Sequence, residues 1–216
     1  MSIKLAIFDL DGTILDTLED LADAVNHALK VHDLPVHTLD EVRSYIGNGI
    51  RNLINRSVPE NTPADVVQSV FAEFKIHYAA HCADKTRPYP GVLELLDIIR
   101  AAGIKTAVLS NKADFAVQEL CINYFGERID YAAGEKEGIP KKPAPDSVYI
   151  LLNAMGFAAE DAIYIGDSEV DVYTARNAGL KCLMVDWGFR TNAQLLDAGA
   201  ADIFSSIREL TDALLK

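Results

Sequence analysis

Four segments of this 216-residue chain concentrate side chains able to do chemistry. They are Asp9-Leu10-Asp11-Gly12-Thr13, Ser110-Asn111-Lys112, Lys142-Pro143, and Gly166-Asp167-Ser168-Glu169-Val170-Asp171. Carboxylates at Asp9 and Asp167, with a backbone carbonyl and waters, make a hard-oxygen site suited to Mg²⁺. Without a cation that much negative charge would be unfavourable. The ion, the Lys142 ammonium and the Ser110 hydroxyl could then hold a phosphate. Gly12 lets the backbone N–H groups around it approach that phosphate. Asp9 can act as a nucleophile, because a carboxylate that forms an acyl-phosphate splits one displacement into two. Asp11, two residues on, is placed to protonate a leaving oxygen and later to deprotonate a water.

Those residues must be brought together by the elements before them. Ile3–Phe8 is mostly apolar and stops at an acid, the pattern of a strand buried on both faces of a parallel sheet. Apolar strands are also expected at Lys105–Leu109, Ile129–Ala133, Ala162–Ile165 and Cys182–Val185, with a further one at Ala201–Phe204. Helices alternate with them over Val92–Ala102, Asp114–Phe125, Pro145–Met155, Val170–Ala178 and Ile207–Leu215. This βα rhythm predicts an α/β fold, a doubly wound parallel sheet, whose ligands sit beyond the carboxyl ends of the strands. Asp9, Ser110 and Asp167 all stand at such ends.

Between the first strand and that rhythm lie about seventy residues with helical spacing only, too long for a structureless loop. Leu18, Leu21, Ala22, Val25 and Leu29 mark one helix, Thr38–Glu41 starts a second, and one follows the loop Gly47-Asn48-Gly49. A last one runs from Pro63 to near Cys82. The expected organisation is therefore a core of residues 1–15 and 84–216 with an inserted α-helical cap domain over 16–83.

Composition sets limits on the partners. Thirty-two acids against 20 Lys and Arg leave a net charge of −12, which disfavours nucleic acid and anionic membrane surfaces. A small anionic ligand is not excluded, because a bound cation can invert the local field. Cys82, Cys121 and Cys182 include no CxxC pair and read as buried free thiols in a reducing compartment. The first apolar run is too short for a signal-peptide core, so a cytoplasmic location is expected.

Taken in order, Asp9-Leu10-Asp11-Gly12-Thr13, Ser110-Asn111, Lys142-Pro143 and Gly166-Asp167 through Asp171 resemble the four motifs of the haloacid dehalogenase superfamily. With a helical insert directly after the first motif, the chain is similar to the phosphoglycolate-phosphatase-like branch. The resemblance implies a sheet ordered 5-4-1-2-3, an aspartyl-phosphate on Asp9 and general acid/base work by Asp11. It also implies Mg²⁺ held by Asp9, the Asp11 carbonyl and Asp167, with Asp171 supporting the metal shell. Gly12, Thr13, Ser110, Asn111 and Lys142 would face the phosphoryl group of a small phosphorylated metabolite. Dehalogenases of the superfamily lack the second Asp of the first motif, so Asp11 argues for phosphoryl chemistry. Lys141 stands where the branch often has Gly, and the KPxP run favours Lys142 as the functional lysine.

The loop Gly47-Asn48-Gly49 with Arg51 resembles the branch's substrate-specificity loop; a plain helix–helix turn with a solvated Arg accounts for it as well. His27, His32, His37, His77 and His81 all fall in the cap. His77 and His81, four apart, could face one ligand on a helix, but zinc needs further ligands, and all five are read as surface residues. The expected activity is Mg²⁺-dependent hydrolysis of a small phosphate monoester, with 2-phosphoglycolate the best single substrate. The alternatives are a phosphosugar mutase of the same superfamily, a pyrophosphatase, or a non-catalytic phosphometabolite-binding protein. A dinucleotide-binding protein is set aside, because no G-x-G-x-x-G follows the first strand.

Overall fold

The computed structural model describes residues 3–216. The chain divides into two compact units, Met1–Leu15 with Pro88–Lys216, and Asp16–Arg87.

The first unit is built on a parallel sheet. Its strands are β1 (Leu5–Phe8), β4 (Lys105–Ala113), β5 (Tyr131–Glu135), β6 (Ala162–Gly166), β7 (Lys181–Val185) and β8 (Ile203–Phe204), in the order β5-β4-β1-β6-β7-β8. Counted within this sheet that is 3-2-1-4-5-6, the expected order read from its other edge with a sixth strand added. Every residue of β1 is buried, as its unbroken apolar run requires. The pleat sends its side chains alternately to two cores. Ala6 and Phe8 pack with Val92, Leu95, Leu96 and Ile99 of α5 (Val92–Ala101) and with Leu210 and Leu214 of α10 (Ile207–Leu214). Leu5 and Ile7 pack on the opposite face with Val148 and Leu151 of α7 (Asp146–Met155) and Ala175 of α8 (Glu169–Ala178). The remaining helices of this unit are α6 (Asp114–Phe125) and α9 (Asn192–Asp197).

Register then fixes the site. Phe8 pairs with Val108 on one side and with Ile165 on the other. Three strands therefore reach the same edge of the sheet, where Ser110 and Asp167 stand one residue beyond the level of Asp9. β4 is longer than its apolar run predicts: it continues through Ser110–Lys112 to Ala113, with a shift in register against β5 after Leu109. An irregular strand end of this kind re-aims side chains beside an active site.

The second unit contains α1 (Leu18–Val31), α2 (Leu39–Tyr45), α3 (Ile50–Ser57) and α4 (Ala64–His81). Thr38 and Glu41 form a capping box at the start of α2. The buried Asp20 carboxylate of α1 accepts from the backbone N–H groups of Lys85 and Thr86, which fixes the chain after α4. Two short strands, β2 (Leu15–Asp16) and β3 (Arg87–Pro88), pair in a separate ladder.

Candidate active site

Asp9 leaves β1 at the sheet edge with its Oδ1 doubly held: the Leu10 N–H donates to it at 2.7 Å, and Lys142 Nζ lies at 3.0 Å. Oδ2 accepts no hydrogen bond among the described residues. The Lys142 side chain is 3% exposed and sits 2.8 Å from Asp171 Oδ1. It also donates to the Tyr164 hydroxyl at 3.0 Å. Asp167 is oriented on both oxygens, by the Thr13 hydroxyl at 3.0 Å and the Phe189 N–H at 2.8 Å. Asp171 is wholly buried at the start of α8, where Ser168 donates to its Oδ2 through both N–H and Oγ.

Ligand oxygens of Asp9, Asp167 and Asp171 all lie within 4.8 Å of one another. Burial raises the Asp9 carboxyl to about 7, against the opposing pull of Lys142. Asp167 is pushed well above the usual carboxylate range by burial and then by Asp171 and Asp9. Burial would discharge the Lys142 ammonium, but Asp171 and Asp9 outweigh it and hold the group charged. One ammonium cannot balance three clustered carboxylates. An all-oxygen donor set short of positive charge fits a hard divalent cation, with Asp9 and Asp167 the two carboxylates whose oxygens are least engaged with protein donors.

Asp11 forms an ion pair with Lys112, Nζ to Oδ1 at 2.7 Å, and the lysine side chain is almost fully buried. Sequence reasoning gives Lys112 no role, since a lysine beyond a strand is ordinarily solvated. Tyr164 is missed for the opposite reason: within an apolar strand it reads as core, yet its hydroxyl is wired to Lys142 and Asp171. Arg190 and Glu169 are missed too. They make a two-pronged ion pair at 2.7 and 3.1 Å, in sequence next to Phe189 and Ser168, which donate to Asp167 and Asp171.

The Gly12 N–H donates to the Leu15 carbonyl at 2.8 Å, within the turn after β1. A glycine is required there: φ is +86°, and a Cβ would lie 2.3 Å from Asp167 Oδ2. Asn111 Nδ2 donates to the Lys142 carbonyl at 3.0 Å, so this amide positions the lysine loop. Ser110 is buried, its Oγ accepting from the Lys112 N–H at 3.2 Å. In the other unit Gly47 and Asn48 lie between α2 and α3, and Gly49 is the N-cap of α3 at φ +81°. The Arg51 guanidinium lies over the Phe71 ring, 3.8 Å from its centroid, instead of being merely solvated. Of the three free thiols, Cys82 and Cys121 are buried and Cys182 is only partly so.

Residues 6–185 match the family described as haloacid dehalogenase-like hydrolase. The chain belongs to that family, and it is a hydrolase of the phosphatase type. It is similar to phosphoglycolate phosphatase of Agrobacterium fabrum, 32% identical over 98% of this chain and 92% of that one. A crystal structure from Lactobacillus delbrueckii subsp. bulgaricus, assigned as a phosphoglycolate phosphatase, superposes with a TM-score of 0.95 at 37% identity, covering 100% of this chain and 99% of the other. CbbY of Rhodobacter sphaeroides, solved in complex with phosphate, gives a TM-score of 0.75 at 26% identity over 96% of each chain.

Proposed function

We propose that this chain hydrolyses small phosphate monoesters, with 2-phosphoglycolate the leading substrate, through a phosphoryl group carried on Asp9. The observation that carries this reading is the Asp9 carboxylate itself. One oxygen is held by Leu10 N–H and Lys142 and the other accepts no hydrogen bond among the described residues, next to a carboxylate cluster short of positive charge. The phosphoglycolate phosphatases among its relatives support the choice of substrate.

Asp9 Oδ2 attacks phosphorus, the bond from phosphorus to the ester oxygen breaks, and Asp11, entering the step as the carboxylic acid with its Oδ1 accepting from Lys112, gives its proton to that oxygen as it leaves. Water then attacks the same phosphorus, loses a proton to Asp11, and releases inorganic phosphate from Asp9, so both aspartates return to their starting states. Lys112 fixes where Asp11 stands, and Lys142 places its charge against Asp9. Mg²⁺, held by Asp9, Asp167 and the Asp11 carbonyl with Asp171 behind them, would supply the charge that neutralises phosphoryl oxygens in both steps. Three cysteines without a disulfide agree with a cytoplasmic location.

The test is phosphate release from a panel of small phosphoesters in Mg²⁺ and in EDTA, with Asp9→Asn and Asp11→Asn alongside. Hydrolysis should need the metal, vanish in Asp9→Asn, and fall about 10²–10⁴-fold in Asp11→Asn. A folded protein that releases no phosphate but interconverts isomeric sugar phosphates would replace this reading with the mutase.

A further inference from the structure

The cap holds a second constellation that the phosphatase chemistry does not use. His77-Tyr78-Ala79-Ala80-His81 places two imidazoles one helical turn apart on α4, the spacing by which helices chelate transition metals. A third imidazole, His27, comes from α1. The His27 and His77 rings lie with centroids 4.0 Å apart, and His77 and His81 4.4 Å apart. They line a cavity of about 410 Å³, with room for an ion and several waters, together with Asp20, Asp23, Asp84 and Lys30, and Lys85 pairs with Asp23 at its rim.

Hydrogen bonding prepares the outer two rings as ligands. His27 Nε2 lies 2.9 Å from Glu73 Oε1, and His81 Nδ1 lies 2.8 Å from Asp84 Oδ2. An ionised carboxylate only accepts, so those ring nitrogens carry the protons. In the neutral rings, lone pairs are then left on His27 Nδ1 and His81 Nε2. Metal-ligating histidines almost always donate their other ring N–H to a carboxylate, a backbone carbonyl or a water, and both outer rings here have a carboxylate. The middle ring is unfinished: His77 Nδ1 is buried with no hydrogen-bond partner.

We propose that His27, His77 and His81 form a site for a borderline divalent transition-metal ion of the zinc, cobalt and nickel class, separate from the carboxylate cluster. Three imidazoles suit such ions, and the all-oxygen cluster suits Mg²⁺. The rings stack with interplanar angles of 27° and 30° rather than converging, so binding involves side-chain rotation. His27 and His81, with side chains 40% and 49% exposed, have the room to turn. Water or Asp23 completes the shell, the latter exchanging its 2.6 Å bond with Lys85. An ion there would tie α1 to α4.

The experiment is Zn²⁺ titration of the tag-free full chain by calorimetry in excess Mg²⁺, with the visible spectrum of the Co²⁺ form as a second readout. One Zn²⁺ per chain is expected. His77→Gln/His81→Gln should weaken it at least about 100-fold, and Asp84→Asn about 10–100-fold. Asp167→Asn should leave both the Zn²⁺ affinity and the Co²⁺ bands in place. Unchanged Zn²⁺ affinity in the folded histidine double variant overturns the proposal, as does Zn²⁺ binding no tighter than Mg²⁺ binding. Should the double variant not fold, His81→Gln, at a half-exposed position, carries the same two outcomes.

Discussion

Lys142→Met keeps most of the volume of the lysine stem and removes its charge, which makes it the sharpest test of the site's electrostatics. Lys142 stands 3.0 Å from Asp9 and 2.8 Å from Asp171, with the Lys142 and Asp171 side chains buried and that of Asp9 12% exposed. Removing one partner from a buried ion pair costs about 3–5 kcal/mol, because the other charge stays buried and unpaired. For a chain of this length each kcal/mol lowers the melting temperature by about 2–4 °C, so a loss of about 6–20 °C is expected in EDTA near pH 8. The stranded carboxylates can escape by taking up protons, which sets the sign of the pH dependence. Their folded pKa values lie above the unfolded one, so between the two the folded state binds more protons and gains stability as pH falls.

The melting deficit of Lys142→Met should therefore shrink between about pH 8 and pH 5, and saturating Mg²⁺ should offset part of it at the higher pH. Thermal unfolding followed by circular dichroism measures both. A variant that melts within about 2 °C of the parent in EDTA near pH 8, or a deficit equal at both pH values, would show that Lys142 does not balance this cluster. Turnover should also drop, by about 10²–10³-fold, through loss of a fixed positive charge at the phosphoryl group.

Gly12→Ala should destabilise the core by about 1–2 kcal/mol from its φ of +86° and by a further ~1–3 kcal/mol from the 2.3 Å approach of the new Cβ to Asp167. Urea unfolding measures that loss, and a midpoint equal to the parent's would contradict the placement of Asp167. In the parent without metal, burial raises Asp9 to about 7 and holds Asp167 well above its unfolded value as well, so stability should decline as pH rises from about 4 through about 7. Denaturant midpoints in EDTA that rise across that window would refute the assignment. Lys112→Met frees Asp11 from its 2.7 Å partner and should lower kcat about 10²-fold with little change in KM. Steady-state kinetics in Mg²⁺ decides, and an unchanged kcat would mean that Asp11 is positioned without Lys112.

Which parts of this molecule can be read from its residues alone follows from how many explanations each residue type admits. An acid that ends an apolar strand has few, since the strand is already buried and the acid must be paired or functional. Asp9 and Asp167 are legible for that reason, and the parallel register that levels Phe8 with Ile165 follows from the βα rhythm. The strand ends are less legible: β4 runs on through Ser110–Lys112, where the apolar signal has stopped but the backbone pairing has not. The short helix α9 had a readable start, the Thr191/Gln194 capping box, but too few apolar residues to display a period. Lysines, tyrosines and histidines are harder, because each has a commoner ordinary explanation at the surface or in the core. Lys112 becomes the partner of Asp11 only across 101 residues of chain, and His27 joins His77 only when α1 meets α4. The negative half of the site is thus written locally, at the ends of strands. Of the positive charge that makes it tolerable, Lys142 is legible in its KPxP run, whereas the pairing of Lys112 with Asp11 and the clustering of imidazoles in the cap exist only as distances between segments far apart in sequence, which is why variants at Lys112 and the cap histidines are the ones that test the structure rather than the motif.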